Sequence, residues 1–222
     1  MVWLMVKTIG LIRVITLKNR DLIEAHGKII EKHFPGLRVI SKCIDDQPYG
    51  IYDDESERKA IPKIIEVGKE LIRMNVDALI VSCAADPGVR ELREIVHVPV
   101  IGAGSASACL ALGISNRIGV LTLTGETPRV IREILGNNLV AEASPQGVKT
   151  TLDLMRKENE KYIFEAAIQL KREKCNIVLL ACTGFSTIGI SSKIHKLTGI
   201  PVVDPVTAAG LFAWYSTLKG GF

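Results

Sequence analysis

The cysteines of this chain lack the spacings that zinc centres and dithiol redox sites use. There are five of them, an odd number, and none stands in a CxxC pair or another zinc-type pattern. Such cysteine usage fits a reducing compartment better than an oxidising one. We therefore predict a cytoplasmic protein without a metal site.

Strong charge and long apolar segments are also missing. The net charge is only +4, the basic residues are dispersed, and no basic, aromatic-rich stretch resembles an RNA-binding motif, so we expect no nucleic-acid partner. The apolar residues 1–17 contain Lys7 and Arg13, which makes this segment too charged and too short for a membrane span. It also lacks the basic region and cleavage site of a signal peptide. We expect no membrane partner, and we predict a buried first strand from about Lys7 to Thr16.

The chain does contain a weak internal duplication. Residues 76–83 form a short apolar run that ends in Cys83, and residues 176–182 form a second run that ends in Cys182. Unbroken, β-branched runs of this length are typical of strands buried on both faces of a parallel sheet. Each run is followed by a helical segment and then by a proline-containing strand, at similar intervals. The repeat predicts two similar halves.

Strands alternate with helices along the whole chain, which predicts an α/β fold with parallel sheets and right-handed crossovers. Two copies of one unit would pack about a pseudo-two-fold axis, so that equivalent strand ends face each other. The carboxyl ends of parallel strands are where ligands bind in such sheets. We infer that Cys83 and Cys182 flank one pocket.

Turn and capping signals predict where several helices begin. Asp86 and Asp204 each precede a proline, a pair that is typical of a helix N-terminus. The acidic residues 45–57 are predicted to form an exposed loop, with Pro62 in or near the first turn of the helix that follows. One long helix is predicted over residues 152–174.

Two facing thiols suit proton transfer at a carbon atom from opposite sides. Racemisation without a cofactor needs a base on one side of the stereocentre and an acid on the other, and the two exchange roles in the reverse direction. A thiol has an ordinary pKa of about 8.5, so modest lowering lets it titrate near neutrality. A redox disulfide is the alternative, but the CxxC motif of that class is absent. Cys43, Cys109 and Cys175 are interpreted as structural.

The predicted substrate-binding residues stand at strand ends, in the turns after the two cysteines, or in the loop over the sheet edge. Their backbone N–H and hydroxyl groups would hold a carboxylate or a developing enolate oxygen. They are Thr16, Tyr49, Gly50, Ser82, Ala84, Thr122, Thr124, Thr183 and Gly184.

Other motifs are weaker. Gly102 and Gly104 follow a strand as in a dinucleotide-binding loop, but Ser107 occupies the third small position. The acidic residues 53–57 are interpreted as a solvated loop rather than a metal site. The histidines lie in or beside predicted helices and are interpreted as surface or helix-end residues; they are His26, His33, His97 and His195.

At the two cysteines the sequence resembles the aspartate/glutamate/hydantoin racemase superfamily. SCAADPG around Cys83 is similar to the first-cysteine motif of the hydantoin and allantoin racemase branch, and ACTGF around Cys182 is similar to the second motif. VPVIGAGSASA and IPVVDPVTAA match the segments that follow each cysteine strand. The resemblance covers nearly the whole chain.

The resemblance implies two similar α/β domains, each with about four parallel strands flanked by helices, and an active site in the cleft between them. The first domain would comprise residues 1–101 and 206–222, because the C-terminal helix returns to it, and the second residues 102–205. Cys83 and Cys182 would alternate as acid and base, with no pyridoxal phosphate or other cofactor. The partner would be a small hydantoin-type or amino-acid-type substrate with an acidic C–H bond, and we expect a homo-oligomer.

Departures from the family pattern bear on the substrate. Ala84 and Ala85 stand where aspartate and glutamate racemases have Asn-Thr, and Gly184 stands where glutamate racemases have Glu, which argues against an acidic amino acid. Residues 16–19 replace the Asn-Pro-Asn-like run of the hydantoin branch. The alternatives are a related isomerase or lyase acting on a small dicarboxylate, or a non-catalytic small-molecule binder. Retention of both thiols disfavours a decarboxylase.

Overall fold

The computed structural model describes residues 6–123 and 125–218. Within these residues there are eight strands and ten α-helices. The strands are β1 (Lys7–Arg13), β2 (Leu37–Cys43), β3 (Ala78–Ser82), β4 (Val100–Gly102), β5 (Ile118–Leu121), β6 (Leu139–Ala143), β7 (Ile177–Leu180) and β8 (Val202–Val203). The helices are α1 (Arg20–His33), α2 (Asp54–Arg73), α3 (Val89–Ile95), α4 (Ala103–Leu112), α5 (Arg129–Leu135), α6 (Thr151–Leu154), α7 (Glu160–Arg172), α8 (Gly184–Thr187), α9 (Ser191–Thr198) and α10 (Pro205–Ser216).

The strands form two four-stranded sheets with the same order. The first runs β2-β1-β3-β4 and the second β6-β5-β7-β8, and every neighbouring pair is parallel. This confirms the predicted fold class, two parallel four-stranded sheets flanked by helices. β1 ends at Arg13, three residues before the predicted end of the first strand.

Side chains on alternate strand positions point to opposite faces of each sheet, and the apolar ones enter three buried clusters. Ile80 of the first sheet and Leu179 of the second share a middle cluster with the small residues of α4 and α10. The outer face of the first sheet packs against α2 and α3, and that of the second sheet against α7 and α9. The helices α4 and α10, whose buried side chains are small, therefore lie between the two sheets and join both halves into one core. The assignment of residues to two domains stays a prediction.

Helix α2 begins earlier than predicted and includes the last four residues of the acidic segment. Asp53 caps it: the Ser56 N–H donates to the Asp53 carboxylate at 2.8 Å, and the Asp53 N–H donates to the Ser56 hydroxyl at 3.0 Å. This reciprocal pair satisfies two backbone donors and draws residues 54–57 into the helix. Pro62 consequently lies inside α2 rather than in its first turn.

The prediction that Asp86 caps the next helix is wrong. Helix α3 begins after Gly88, which makes no side-chain cap bond. The Asp86 carboxylate instead accepts the backbone N–H groups of Gly104 (2.6 Å) and Ser105 (2.8 Å) in the first turn of α4. A side chain at Gly104 would meet the Ala84 carbonyl oxygen, 2.0 Å from an added Cβ. The turn that follows Cys83 is thus fixed to the start of α4.

The long helix predicted over residues 152–174 is interrupted. α6 ends at Leu154, a 3-10 turn covers Lys157–Asn159, and α7 follows. The Asn159 side chain donates to the Asp153 carbonyl at 2.9 Å, and such side-chain bonds compete with helical hydrogen bonds.

The predicted cap at Asp204 is confirmed, because its carboxylate accepts the N–H groups of Val206 and Thr207. Among the described helices none is long and apolar enough to cross a membrane.

We predict that Asp86→Ala lowers the free energy of unfolding by about 1–2 kcal/mol, because it leaves the first N–H groups of α4 without their acceptor. Urea unfolding followed by circular dichroism measures the change. Glu94→Ala on the exposed side of α3 is the control and should change stability by less than about 0.5 kcal/mol. Equal stability of the two variants would contradict the capping role.

Candidate active site

The carboxyl ends of the two sheets border one cleft with a volume of about 930 Å³. Cys83 directly follows β3, and Cys182 comes two residues after β7, the equivalent strand of the second sheet. Both cysteines line this cleft, and both are free thiols that are partly buried. The structure therefore brings the two sequence-predicted catalytic residues to one pocket.

The cleft also includes five of the predicted substrate-binding residues. They come from the turns after the two cysteines, from the end of β3 and from the loop before α2: Ser82, Ala84, Thr183, Gly184 and Gly50.

Three other predicted residues do not line the cleft. The Thr16 hydroxyl donates to the Ile44 carbonyl at 2.8 Å and accepts the Gln47 N–H at 2.7 Å, so it holds the loop after β2. Tyr49 is 59% exposed and borders a separate cavity of about 290 Å³. Thr122 is buried and bonds to the end of β6. Thr124 lies outside the described residues.

Several neighbours of Cys182 stabilise its thiolate against the effect of burial. The Gly184 N–H donates to the Cys182 sulfur at 3.4 Å, at the start of α8. Burial raises the pKa of Cys182, but the N–H groups of Gly184 and Phe185, the Thr151 hydroxyl and the positive charge of Arg13 act in the opposite direction. Hydrogen bonds and a nearby cation are what stabilise a thiolate in proteins.

Cys83 has a less favourable environment for negative charge. Burial raises its pKa to about 12; the Ala85 N–H counteracts this, and the charges of Cys182, Asp86 and Glu57 raise the pKa further. Interaction between the two thiols means that they titrate as a pair. We infer that the first proton leaves mainly from Cys182.

Arg13 is a candidate functional residue that the sequence interpretation did not select. Its side chain is buried, lines the cleft, and donates to the Leu22 carbonyl at 2.6 Å. Burial lowers its pKa to about 10, so it remains cationic at neutral pH. The sequence did contain a signal for Arg13, because it stands at the end of an apolar strand and a charge buried there requires partners.

His26 was interpreted as a surface or helix-end residue, and this is wrong. It is fully buried on the inner face of α1. Its Nδ1 lies 2.7 Å from the Ser82 hydroxyl and its Nε2 lies 2.8 Å from the Thr187 hydroxyl. Burial and the charge of Arg13 hold its pKa well below the ordinary value, so the ring is neutral.

Charged residues from two helices line the cleft. The start of α2 contributes acidic residues together with Arg58, and α5 contributes Arg129 and Arg132. The basic residues of α5 are already paired: Arg129 with Glu133 at 2.6 Å, and Arg132 with Glu142 at 2.9 Å.

The alternative ligand sites find little support. In the described part of the chain, no group of three or more His, Cys, Asp or Glu side chains is arranged around a possible metal position. At the start of α4, the N–H groups of Gly104 and Ser105 already bind the Asp86 carboxylate. These are donors that a phosphate would need in a dinucleotide loop.

Comparison with known proteins identifies the class. The profile of the Asp/Glu/hydantoin racemase family matches residues 21–211, and the chain belongs to this family. The predicted enzyme class, an isomerase of the racemase type, is confirmed.

The relatives also confirm the resemblance to the hydantoin and allantoin racemase branch. A hydantoin racemase from Rhizobium meliloti is 28% identical over 180 residues, which cover 74% of this chain and 70% of that protein. The structure of an allantoin racemase from Klebsiella pneumoniae superimposes with a TM-score of 0.82 at 22% identity, covering 93% of this chain and 86% of that one. An arylmalonate decarboxylase structure has a TM-score of 0.61 at 17% identity and covers 96% of this chain and 93% of its own. The fold is thus shared with a protein of a different reaction class.

We predict that iodoacetamide at pH 8 labels Cys182 severalfold faster than Cys83, because Arg13 and the α8 N–H groups stabilise the Cys182 thiolate. Arg13→Gln should slow labelling of Cys182 by about tenfold, corresponding to a rise of about one unit in its pKa, whereas Arg13→Lys should retain the fast rate. Peptide mass mapping separates the cysteines.

Arg20→Gln, at an exposed position of α1, is the matched control for this charge removal. Faster labelling of Cys83 than of Cys182 in the wild-type protein would contradict the assignment.

Proposed function

We propose that the protein is a cofactor-independent racemase in which Cys83 and Cys182 transfer a proton at the carbon beside a carbonyl group. The observation that carries this proposal is that both thiols line one cleft at equivalent strand ends. The substrate would be a hydantoin-type or amino-acid-type compound.

The reaction would begin with Cys182 as thiolate and Cys83 as thiol. The Cys182 sulfur removes the proton from the substrate carbon, and the electron pair of the broken C–H bond moves into the carbonyl to form an enolate. The Cys83 S–H then donates its proton to the opposite face of the same carbon. The product is the mirror image of the substrate, and the enzyme is left with a Cys83 thiolate and a Cys182 thiol. Proton exchange with solvent restores the starting state.

The positive charge of Arg13 would assist this transfer. Negative charge starts on the Cys182 sulfur and moves to the enolate oxygen, and both positions lie within the cleft that Arg13 lines. A fixed cation in a partly buried site stabilises such charge without reorganisation.

The charges of the cleft favour a cyclic ureide over a dicarboxylate. Glu57 borders the cleft, and burial together with the charges of Asp54 and Glu91 raises its pKa. A second anionic group on the substrate would be repelled by these carboxylates, and the cations of α5 are already paired with glutamates. Arg58 is the one cation that α2 adds to the described lining. Hydantoin N–H groups, in contrast, are suitable donors to a carboxylate. The names of the relatives point to the same class.

The proposed location is the cytoplasm. A racemase of this kind needs both cysteines as free thiols, and a reducing compartment keeps them so. A homo-oligomeric state stays a prediction, which light scattering of the purified protein would measure.

We predict that Cys83→Ser and Cys182→Ser each abolish racemisation, because serine cannot act as the base near neutral pH. Incubation of 5-substituted hydantoins, allantoin and free amino acids in heavy water, followed by chiral chromatography and mass spectrometry, identifies the substrate. Deuterium should enter the product enantiomer at the stereocentre. Cys109→Ser, on the exposed side of α4, should racemise at the wild-type rate.

Racemisation that persists in both active-site variants would reject the two-thiol mechanism. Release of carbon dioxide from an arylmalonate, with no racemisation of any compound, would favour the lyase alternative.

We also predict that kcat/KM rises with pH through the range from 7 to 9. Burial raises the pKa values of both thiols above the ordinary value of a cysteine, and the reaction needs one of them as thiolate. Below the lower pKa each pH unit therefore increases the active fraction by about tenfold. Initial rates in overlapping buffers measure the profile, and a flat profile over this range would contradict it.

A further inference from the structure

A chain of hydrogen bonds through His26 connects the two cysteine-bearing turns. Ser82, the residue before Cys83, contacts His26 Nδ1 at 2.7 Å, and Thr187, at the end of α8, contacts Nε2 at 2.8 Å. A third bond runs parallel to these two: the Thr183 hydroxyl donates to the Ser82 carbonyl at 3.2 Å. Ser82 is therefore bonded to both ends of α8, directly to Thr183 and through His26 to Thr187.

The imidazole is well suited to this bridging position. A neutral ring has one donor nitrogen and one acceptor nitrogen, and a hydroxyl group can serve either of them. Both ring nitrogens are thus satisfied without a buried charge. His26 itself lies on α1, which packs against α8 and α10, so the bridge is held by a third element.

His26 does not take part in the chemistry directly. It is fully buried and is not among the residues that line the cleft. Its neighbours are hydroxyl groups rather than the two sulfurs. The hydrogen bonds of His26 lead to Ser82 and to α8, and these bonds connect it to the two cysteine-bearing turns.

We propose that His26 is a positioning residue, which keeps the Cys83 and Cys182 turns at the separation needed for proton transfer to opposite faces of one carbon. This inference rests on the proposed two-thiol function. The relevant geometry is demanding, because a misplacement of about 1 Å can reduce a rate by about a hundredfold.

The informative variants differ in which bond they remove. His26→Phe keeps a ring of similar shape and removes both bonds, Thr187→Val removes only the bond to α8, and the double variant tests whether the two act as one unit. Thr198→Val is the control, at the end of α9 and away from the cleft lining. It removes two buried hydroxyl bonds, from Thr198 to the Ile194 carbonyl at 2.8 Å and from the Ile200 N–H to Thr198 at 3.2 Å.

The first readout is the balance between hydrogen exchange and inversion in heavy water. When the opposite thiol no longer reaches the enolate, the first thiol has time to exchange the proton it took with heavy water, and it then returns a deuteron to the same face of the carbon. We expect kcat to fall tenfold or more in His26→Phe with little change in KM, and deuterium to enter recovered substrate severalfold faster relative to inversion. Thr187→Val should shift the same ratio in the same direction, and Thr198→Val should leave it unchanged.

The second readout needs no substrate. In a protein with Cys43, Cys109 and Cys175 replaced by serine, the bifunctional reagent dibromobimane can bridge only Cys83 and Cys182, and mass spectrometry measures the bridged fraction. We expect His26→Phe and Thr187→Val to lower this fraction at least twofold relative to Thr198→Val.

The two readouts separate the possible failures. An unchanged exchange ratio and an unchanged bridged fraction in both His26→Phe and Thr187→Val would overturn the positioning role, whatever the enzyme's substrate. Racemisation that survives replacement of either cysteine would instead overturn the proposed function, while the bridged fraction would still test the position of the turns. If His26→Phe does not fold, Thr187→Val alone decides the outcome.

Discussion

Burial of apolar surface between the two sheets is the constraint on which the rest of the structure depends. The layer formed by α4 and α10 consists largely of alanine and glycine on its buried faces, so the helices fit between sheets that share one core. With both sheets held against this layer, the carboxyl ends of β3 and β7 border the same cleft. The position of the thiols is therefore a consequence of packing, and the bonds of Ser82, Thr183 and His26 refine it.

Much of the fold could be predicted from local sequence. Apolar β-branched runs predicted the strands, and the Asp204-Pro205 pair predicted the start of α10. Some errors, at α2 and before α7, arose from local side-chain bonds that the sequence interpretation did not include. Others arose where bonds between distant residues replace local ones. Asp86 has the sequence neighbours of a cap for α3, yet its carboxylate binds N–H groups eighteen and nineteen residues further along the chain. Sequence spacing alone carries no information about that partner.

The active site, like the fold, could be predicted where the sequence pattern is local or repeated, and could not be predicted where distant residues bond to each other. Cys83 and Cys182 follow equivalent strands, and this equivalence is visible as a repeat in the sequence. Thr16 was expected in the pocket as a strand end and Tyr49 as part of the loop over the sheet edge. The loop after β2 instead turns back and uses the Thr16 hydroxyl internally. His26 was missed because its partners, Ser82 and Thr187, lie 56 and 161 residues away. Only the packed structure reveals that its helix face is buried.

The backbone of the two halves repeats, but the charges around the two sulfurs do not. Arg13 acts on Cys182, whereas Asp86 and Glu57 act on Cys83. Interconversion of mirror images has an overall equilibrium constant of one, so kcat/KM must be equal for the two enantiomers under the Haldane relation. The Haldane relation does not require kcat or KM, taken separately, to be equal for the two enantiomers. Because the electrostatic environment favours negative charge on one sulfur over the other, we expect one enantiomer to have the lower KM. Its kcat would then be lower by the same factor.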